Sequence, residues 1–156
     1  MAGSRISDYG TDRPSNQCIL RLWHTGCLRN RSNTEWAIRA YRLYTGPDGN
    51  SHIVRGSVNP TKLVEAHSIE FKETPPHSSY DWHNDPIPQY VITLEGVLEF
   101  TTAGGEVFTL RPGEVLIAED HTGSGHKWRL MNDDPWKRAY VVFKDGADTQ
   151  FLPDPG

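Results

Sequence analysis

QYVITLEGVLEFTTAGGEVFTL, residues 89–110, is the stretch that decides the fold. Two runs rich in Val, Ile, Leu, Phe and Thr flank Gly96, and Ala103-Gly104-Gly105 turns the second into a hairpin. The same rhythm continues downstream. Arg111-Pro112-Gly113-Glu114 is a turn, VLIA at 115–118 an apolar strand, HKWRL at 126–130 an alternating one, and WKRAYVVFK at 136–144 the last clear strand after the turn Asn132-Asp133-Asp134-Pro135. Upstream, HSIEFKET at 67–74 sets Ile69 and Phe71 against polar neighbours until Pro75-Pro76 stops it, and a loop is expected from there through Trp82. TEWAIRAYRLYTGPDGNSHIVRGSV at 34–58 reads as two strands joined at Thr45-Gly46-Pro47-Asp48-Gly49, with Trp36, Ile38, Ala40 and Arg42 on one alternating face. The burst CILRLWHTGCL at 18–28 is read as a further strand. No run has the period of a three-turn helix, so the chain is all-β, a sandwich or barrel, and the lack of crossover helices argues against a parallel α/β sheet.

The 156 residues and 17.6 kDa fit one domain. Its expected parts are a flexible arm at 1–16, a barrel domain at 17–146, and a tail at 147–156 that is loose or pinned only by Phe151 and Leu152. Sixteen Lys and Arg against twenty Asp and Glu leave a net charge of −4, which argues against nucleic-acid binding by phosphate neutralisation and favours a small-molecule partner. No apolar run approaches the ~20 residues that a membrane span needs. The N-terminus MAGSRISDYGTDRPSNQ has no apolar h-region, so a cytoplasmic location is expected. Two cysteines, Cys18 and Cys27, are too few for a disulfide framework and read as reduced, packing thiols.

Histidine is the natural acid, base or metal ligand near neutral pH, so the seven histidines are the place to look for chemistry. His24, His52, His67 and His77 stand alone and are given surface or packing roles. His83 opens a polar cluster, DWHNDPIPQ at 81–89, that leads into an apolar strand; His121 and His126 lie in AEDHTGSGH at 118–126, after another. His83, Asp85, Gln89 and Gly96 stand at the spacing of the first motif of the cupin superfamily, and RPGEVLI at 111–117 with His126 resembles its second. The resemblance covers Tyr41 to Phe143. ETPP, DWH, QYV and PGEVLIAED followed by TGSGH are similar to a largely uncharacterised group of small single-domain cupins. The resemblance implies a jelly-roll barrel, the double-stranded β-helix.

It also implies a site. Typical cupins bind a divalent metal through three His and one Glu; here His83, His126, Asp85 and Gln89 would be the ligands of one Fe, Mn, Zn or Ni ion. Two imidazoles and a carboxylate suit non-haem Fe(II). Gln brings no charge, so it weakens the metal set and could instead hydrogen-bond a substrate oxygen. If the strand period held from 83 to 89, His83, Asp85 and Gln89 would share a face, but Pro86 and Pro88 could turn Asp85 away. Without a metal, His83, Gln89 and His126 form an acid/base site with no cofactor; the plainest reading is two histidines that merely satisfy buried hydrogen bonds. Glu119 and Asp120 are expected to be solvated turn residues, and His121 exposed. Trp82 and Trp128 flank the two histidines and could stack on a planar substrate, with Asp85 beside them, or simply pack.

The expected function is therefore lyase or isomerase chemistry, such as dehydration, decarboxylation or cyclisation, on an organic substrate of secondary-metabolite type. The alternatives are a metal-dependent dioxygenase and a non-enzymatic ligand-binding protein. A homodimer is expected, with residues 17–28 adding an edge strand across its interface.

Overall fold

The structure is a computed structural model that describes residues 37–156, and every regular element among them is a strand. In chain order these are β1 (Ile38–Thr45), β2 (Ser51–Val58), β3 (Ala66–Thr74), β4 (Ser79–His83), β5 (Gln89–Glu95), β6 (Leu98–Thr102), β7 (Val107–Leu110), β8 (Val115–Glu119), β9 (His126–Leu130), β10 (Trp136–Phe143) and β11 (Phe151–Pro153). The turns sit where the Gly, Pro and Asp clusters are. Among the described residues no helix is long and apolar enough to cross a membrane.

From β3 to β10 the pairing is nested: β6 with β7, β5 with β8, β4 with β9 and β3 with β10, all antiparallel. Such a chain is one long hairpin. Folding it over to bury its apolar face sends successive pairs to alternate sheets. The result is β3-β10-β5-β8 in one sheet and β4-β9-β6-β7 in the other, the strand order of a jelly roll. β1 then joins parallel to β8, β2 pairs with β1, and β11 with β2, extending the first sheet to seven strands. The all-β jelly-roll barrel expected from the sequence is the architecture observed.

Period two sends Tyr41, Leu43, Val91 and Leu116 of the large sheet against Leu98, Phe100, Phe108 and Leu110 of the small one. Phe100 stacks on Phe108 at 5.0 Å, and Phe108 on Tyr41 at 4.8 Å. Behind the large sheet a second cluster, Ala40, Tyr90, Val115, Ile117 and Phe143, is covered by Ala147 and Phe151. The tail is thus pinned rather than loose: β11 pairs with β2, and the Tyr90 hydroxyl donates to the Thr149 carbonyl.

Three strand expectations change. In β1 it is Tyr41 and Leu43 that face the lumen, whereas Ile38 is half exposed and Arg42 pairs with Glu119; β1 lies between β2 and β8 with apolar neighbours on both faces, so alternation alone could not choose a side. In β3 the alternation holds, and the polar set is the inner one. Glu70 and Lys72 face a cavity, while Ile69 and Phe71 are exposed on the outer side of this edge strand. The loop expected through Trp82 contains the five-residue strand β4, which pairs with β9 through Ser79, Tyr80 and His83. The expectations for the 1–16 arm, Cys18, Cys27, His24, Trp36 and a strand at 17–28 fall outside the described residues.

Candidate functional site

The site begins with an irregularity in the β4–β9 pair. Tyr80 lies opposite Trp128 and His83 opposite His126, so three steps along β4 match two along β9. That extra residue is a bulge, which re-aims the side chains beyond it. Tyr80 and His83 consequently meet edge to face at 4.2 Å on the cavity side. Trp82 is turned outward, half exposed, with Lys127 Nζ 4.9 Å above its ring. Trp82 therefore does not line the cavity, contrary to the expected substrate contact; Trp128 does. Gly125, at φ +74°, permits the close approach of the two segments, since a Cβ there would lie 2.5 Å from the His83 carbonyl oxygen. The His83 and His126 rings end 4.3 Å apart.

His126 is fully buried, and its Nδ1 hydrogen-bonds Asp120 Oδ2 at 2.8 Å. Ser51 Oγ donates to the same oxygen at 2.9 Å. Asp120 is itself completely buried, which corrects its reading as a solvated turn residue: Leu116, Ala118 and Asp120 continue one inward-facing row at the end of β8. Asn84 holds the following loop by donating from Nδ2 to the Asp120 and Thr122 carbonyls at 2.9 and 3.1 Å. Glu119, one step out of phase, pairs with Arg42 at 2.5 Å, and His121 is exposed as expected.

Asp85 completes the cluster. Pro86 and Pro88 do end the pairing, so β4 and β5 are separate strands in different sheets and no strand period links residues 83 to 89. The connection nevertheless folds Asp85 inward, to 9% exposure, and ligand atoms of Asp85, Asp120 and His126 lie within 4.8 Å of one another. Asp85 Oδ2 and Asp120 Oδ1 are buried with no other partner. One proton between the two carboxyls would satisfy both oxygens. Burial pushes the Asp85 carboxyl up to about 7; the His126 charge opposes the rise, and the charge and hydrogen bond of Asp120 add to it. Burial opposes ionisation of Asp120 too, but hydrogen bonding from His126, Asp85 and Ser51 holds it below the usual carboxylate range. Of the two, Asp85 is the carboxyl whose hold on a proton is strengthened and Asp120 the one whose hold is weakened.

The His83 imidazole is lowered by burial, with its bond to the Asp81 carbonyl opposing and the His126 charge assisting. Its Nδ1 lies 2.7 Å from that carbonyl, so the neutral ring carries its hydrogen on Nδ1 and an open lone pair on Nε2. Above these groups is a cavity of about 640 Å³, bounded by β3, β4, β5, β9 and β10. Gln89, 6% exposed, lines it and makes no side-chain hydrogen bond among the described residues. Arg138 and Tyr140, which the sequence reading did not single out, line it as well. The inward row Trp136, Arg138, Tyr140, Val142 on β10 was the available signal. His52, His67 and His77 are not among its lining residues.

The donor set fits a divalent cation. Two buried carboxylates with orphaned oxygens and the His126 imidazole offer oxygen and nitrogen ligands, although the group is Asp85, Asp120 and His126 rather than the expected His83, His126, Asp85 and Gln89.

No protein-family model and no curated protein matches the chain. Among solved structures it is similar to a DUF861 family protein from Thermotoga maritima, at 24% identity over 49% of this chain and 77% of that one, with a TM-score of 0.38. An uncharacterised conserved protein with a double-stranded β-helix domain from Klebsiella pneumoniae gives 17% identity over 64% and 91%, with a TM-score of 0.40. The CENP-C cumin domain of Drosophila melanogaster gives 13% identity over 65% and 71%, with a TM-score of 0.38. The functional argument rests on this chain's own residues.

Proposed function

We propose that the protein is an enzyme that moves protons on a small organic substrate held in the barrel cavity, in a lyase or isomerase reaction. The carrying observation is the buried Asp85–Asp120–His126 cluster, whose two carboxyls each keep a buried oxygen without a partner, beside the open Nε2 of His83. A carboxyl with an affinity near neutrality can give or take a proton with little penalty, which is the condition for general acid/base catalysis. In this reading His83 Nε2 accepts a proton from the substrate, and the Asp85 carboxyl returns one. Asp120 is a positioning residue that fixes the His126 ring through Nδ1. Gln89 donates to a substrate oxygen as negative charge develops on it.

The orphaned carboxylate oxygens also support a second reading, in which Asp85, Asp120 and His126 hold a divalent metal. Such a metal would supply Lewis acidity, or with iron the activation of dioxygen. One experiment separates the two. Untagged protein, stripped with chelator, is incubated in D2O with a pool of small carbonyl compounds, and C–H exchange is followed by proton NMR. Exchange by the stripped protein that disappears in His83→Ala and Asp85→Asn supports the proton-transfer reading. Exchange that stops on stripping and returns with one divalent metal supports the other and ends the first.

A further inference from the structure

Arg138 lies inside the barrel, 7% exposed, on the cavity-facing row of β10. Its guanidinium sits 3.8 Å over the Trp136 ring. Nε donates to the Tyr140 hydroxyl at 2.8 Å, and Nη1 donates to Thr74 Oγ1 at 2.8 Å and to the Trp136 carbonyl at 3.3 Å. All of these partners are neutral. Among the described residues no carboxylate is paired with Arg138, whereas the neighbouring cation on the same cavity wall, Lys72, lies 3.3 Å from Glu70. A guanidinium stays charged at any pH a protein meets, and a buried charge without a counter-ion is costly. The three fixed bonds clamp the plane and leave the two Nη2 hydrogens unused. Tyr140 accepts from Nε, so its own O–H is also left to donate.

We infer that Arg138 and Tyr140 form a carboxylate-binding subsite in the cavity, and that the substrate is an organic monoanion. One uncompensated positive charge calls for one negative charge. A planar carboxylate can place one oxygen on Nη2 and the other on the Tyr140 hydroxyl, with the rest of the molecule extending towards His83 and Gln89 in the same cavity. The inference deepens the proton-transfer reading by naming its substrate class, and it stands or falls on binding alone.

The test uses benzoate as probe, its neutral counterpart benzamide, and phenyl phosphate, with binding read by calorimetry and by quenching of tryptophan fluorescence. Wild-type protein should bind benzoate at least about tenfold more tightly than benzamide, one charge-assisted contact's worth. Arg138→Gln should erase that preference, and Tyr140→Phe should reduce it by about threefold or more, as for the loss of a single hydrogen bond. Trp82→Ala, whose ring lies outside the cavity, should keep it, and because binding alone is read, a failure of the acid/base reading cannot be mistaken for a failure of the subsite. If Arg138→Gln does not fold, Tyr140→Phe and the benzoate–benzamide comparison in wild type decide the matter. Equal affinity for benzoate and benzamide, tighter binding of phenyl phosphate, an unchanged preference in folded Arg138→Gln, or its loss in Trp82→Ala would each overturn the inference.

Discussion

The two sides of the barrel lumen are both built from strands yet treat their inward residues in opposite ways. Around β6 and β7 the row is Leu98, Phe100, Phe108 and Leu110, all but sealed from solvent and stacked ring on ring. Around β3 and β4 it is Glu70, Lys72, Tyr80 and His83, and β10 adds Arg138 and Tyr140. The first side fills space with apolar surface; the second leaves a cavity and lines it with groups that need partners. Burial therefore carries stability on one side and chemistry on the other.

Paired truncations should show the largest contrast. Phe100→Ala should cost about 3–5 kcal/mol in denaturant unfolding, as expected for a fully buried aromatic side chain. His83→Ala, on the half-buried cavity wall, should cost less than about 1 kcal/mol while abolishing proton exchange on the substrate. Comparable losses in unfolding free energy would dissolve the distinction between the two sides.

pH sharpens it next. Asp85 has its folded affinity raised from 3.8 to about 7, so the native state holds a proton that the unfolded chain releases. The stability this supplies is complete below about pH 4 and is lost as pH rises through about 7, a swing on the order of 4 kcal/mol at most. Unfolding of chelator-treated wild type and Asp85→Asn between pH 4 and 8 should show the gap between them shifting in the variant's favour as pH rises. A gap that does not change with pH would remove the shared proton from the account.

Smaller effects follow from the positioning contacts. Asp120→Asn exchanges the carboxylate acceptor of His126 and Ser51 for a weaker amide one and should cost about 1–3 kcal/mol. Gln89→Glu adds a third carboxylate to the cavity: under proton-transfer chemistry it should slow turnover by ~10² to 10³ through loss of a neutral donor. Under metal chemistry the same variant should bind divalent ions more tightly with activity kept, which a thermal shift with and without metal would show. Trp82→Ala, on the outer face of β4, should change stability and ligand binding least, within about 0.5 kcal/mol.

The strands were legible because turn residues and period-two runs are local signals, and the nested pairing then leaves a jelly roll as the compact solution. The inside of each strand was less legible. Alternation in β3 separates Ile69 and Phe71 from Glu70 and Lys72, but cannot say that the polar set faces a cavity inside an edge strand. His83 and His126 could be read from motif spacing, whereas the outward turn of Trp82 depends on a bulge that only pairing with β9 creates. Asp120 looked like a solvated acid because it precedes a glycine-rich loop; its phase with Leu116 and Ala118 pointed the other way. Asp85 reaches the cluster through a connection between sheets, which no strand period describes. Arg138 was hidden in an ordinary charged pair, Lys137-Arg138, whose two members face opposite sides of the sheet.

The central claim is that Asp85 and Asp120 hold one proton between them in the metal-free protein. Carboxyl-carbon NMR, with chelator present and Asp85→Asn used for assignment, measures it directly. The account predicts that the Asp120 carboxyl stays ionised below the usual carboxylate range while the Asp85 carboxyl loses its proton only as the pH reaches about 7. Two carboxyls that are both ionised from pH 5 upward would contradict it.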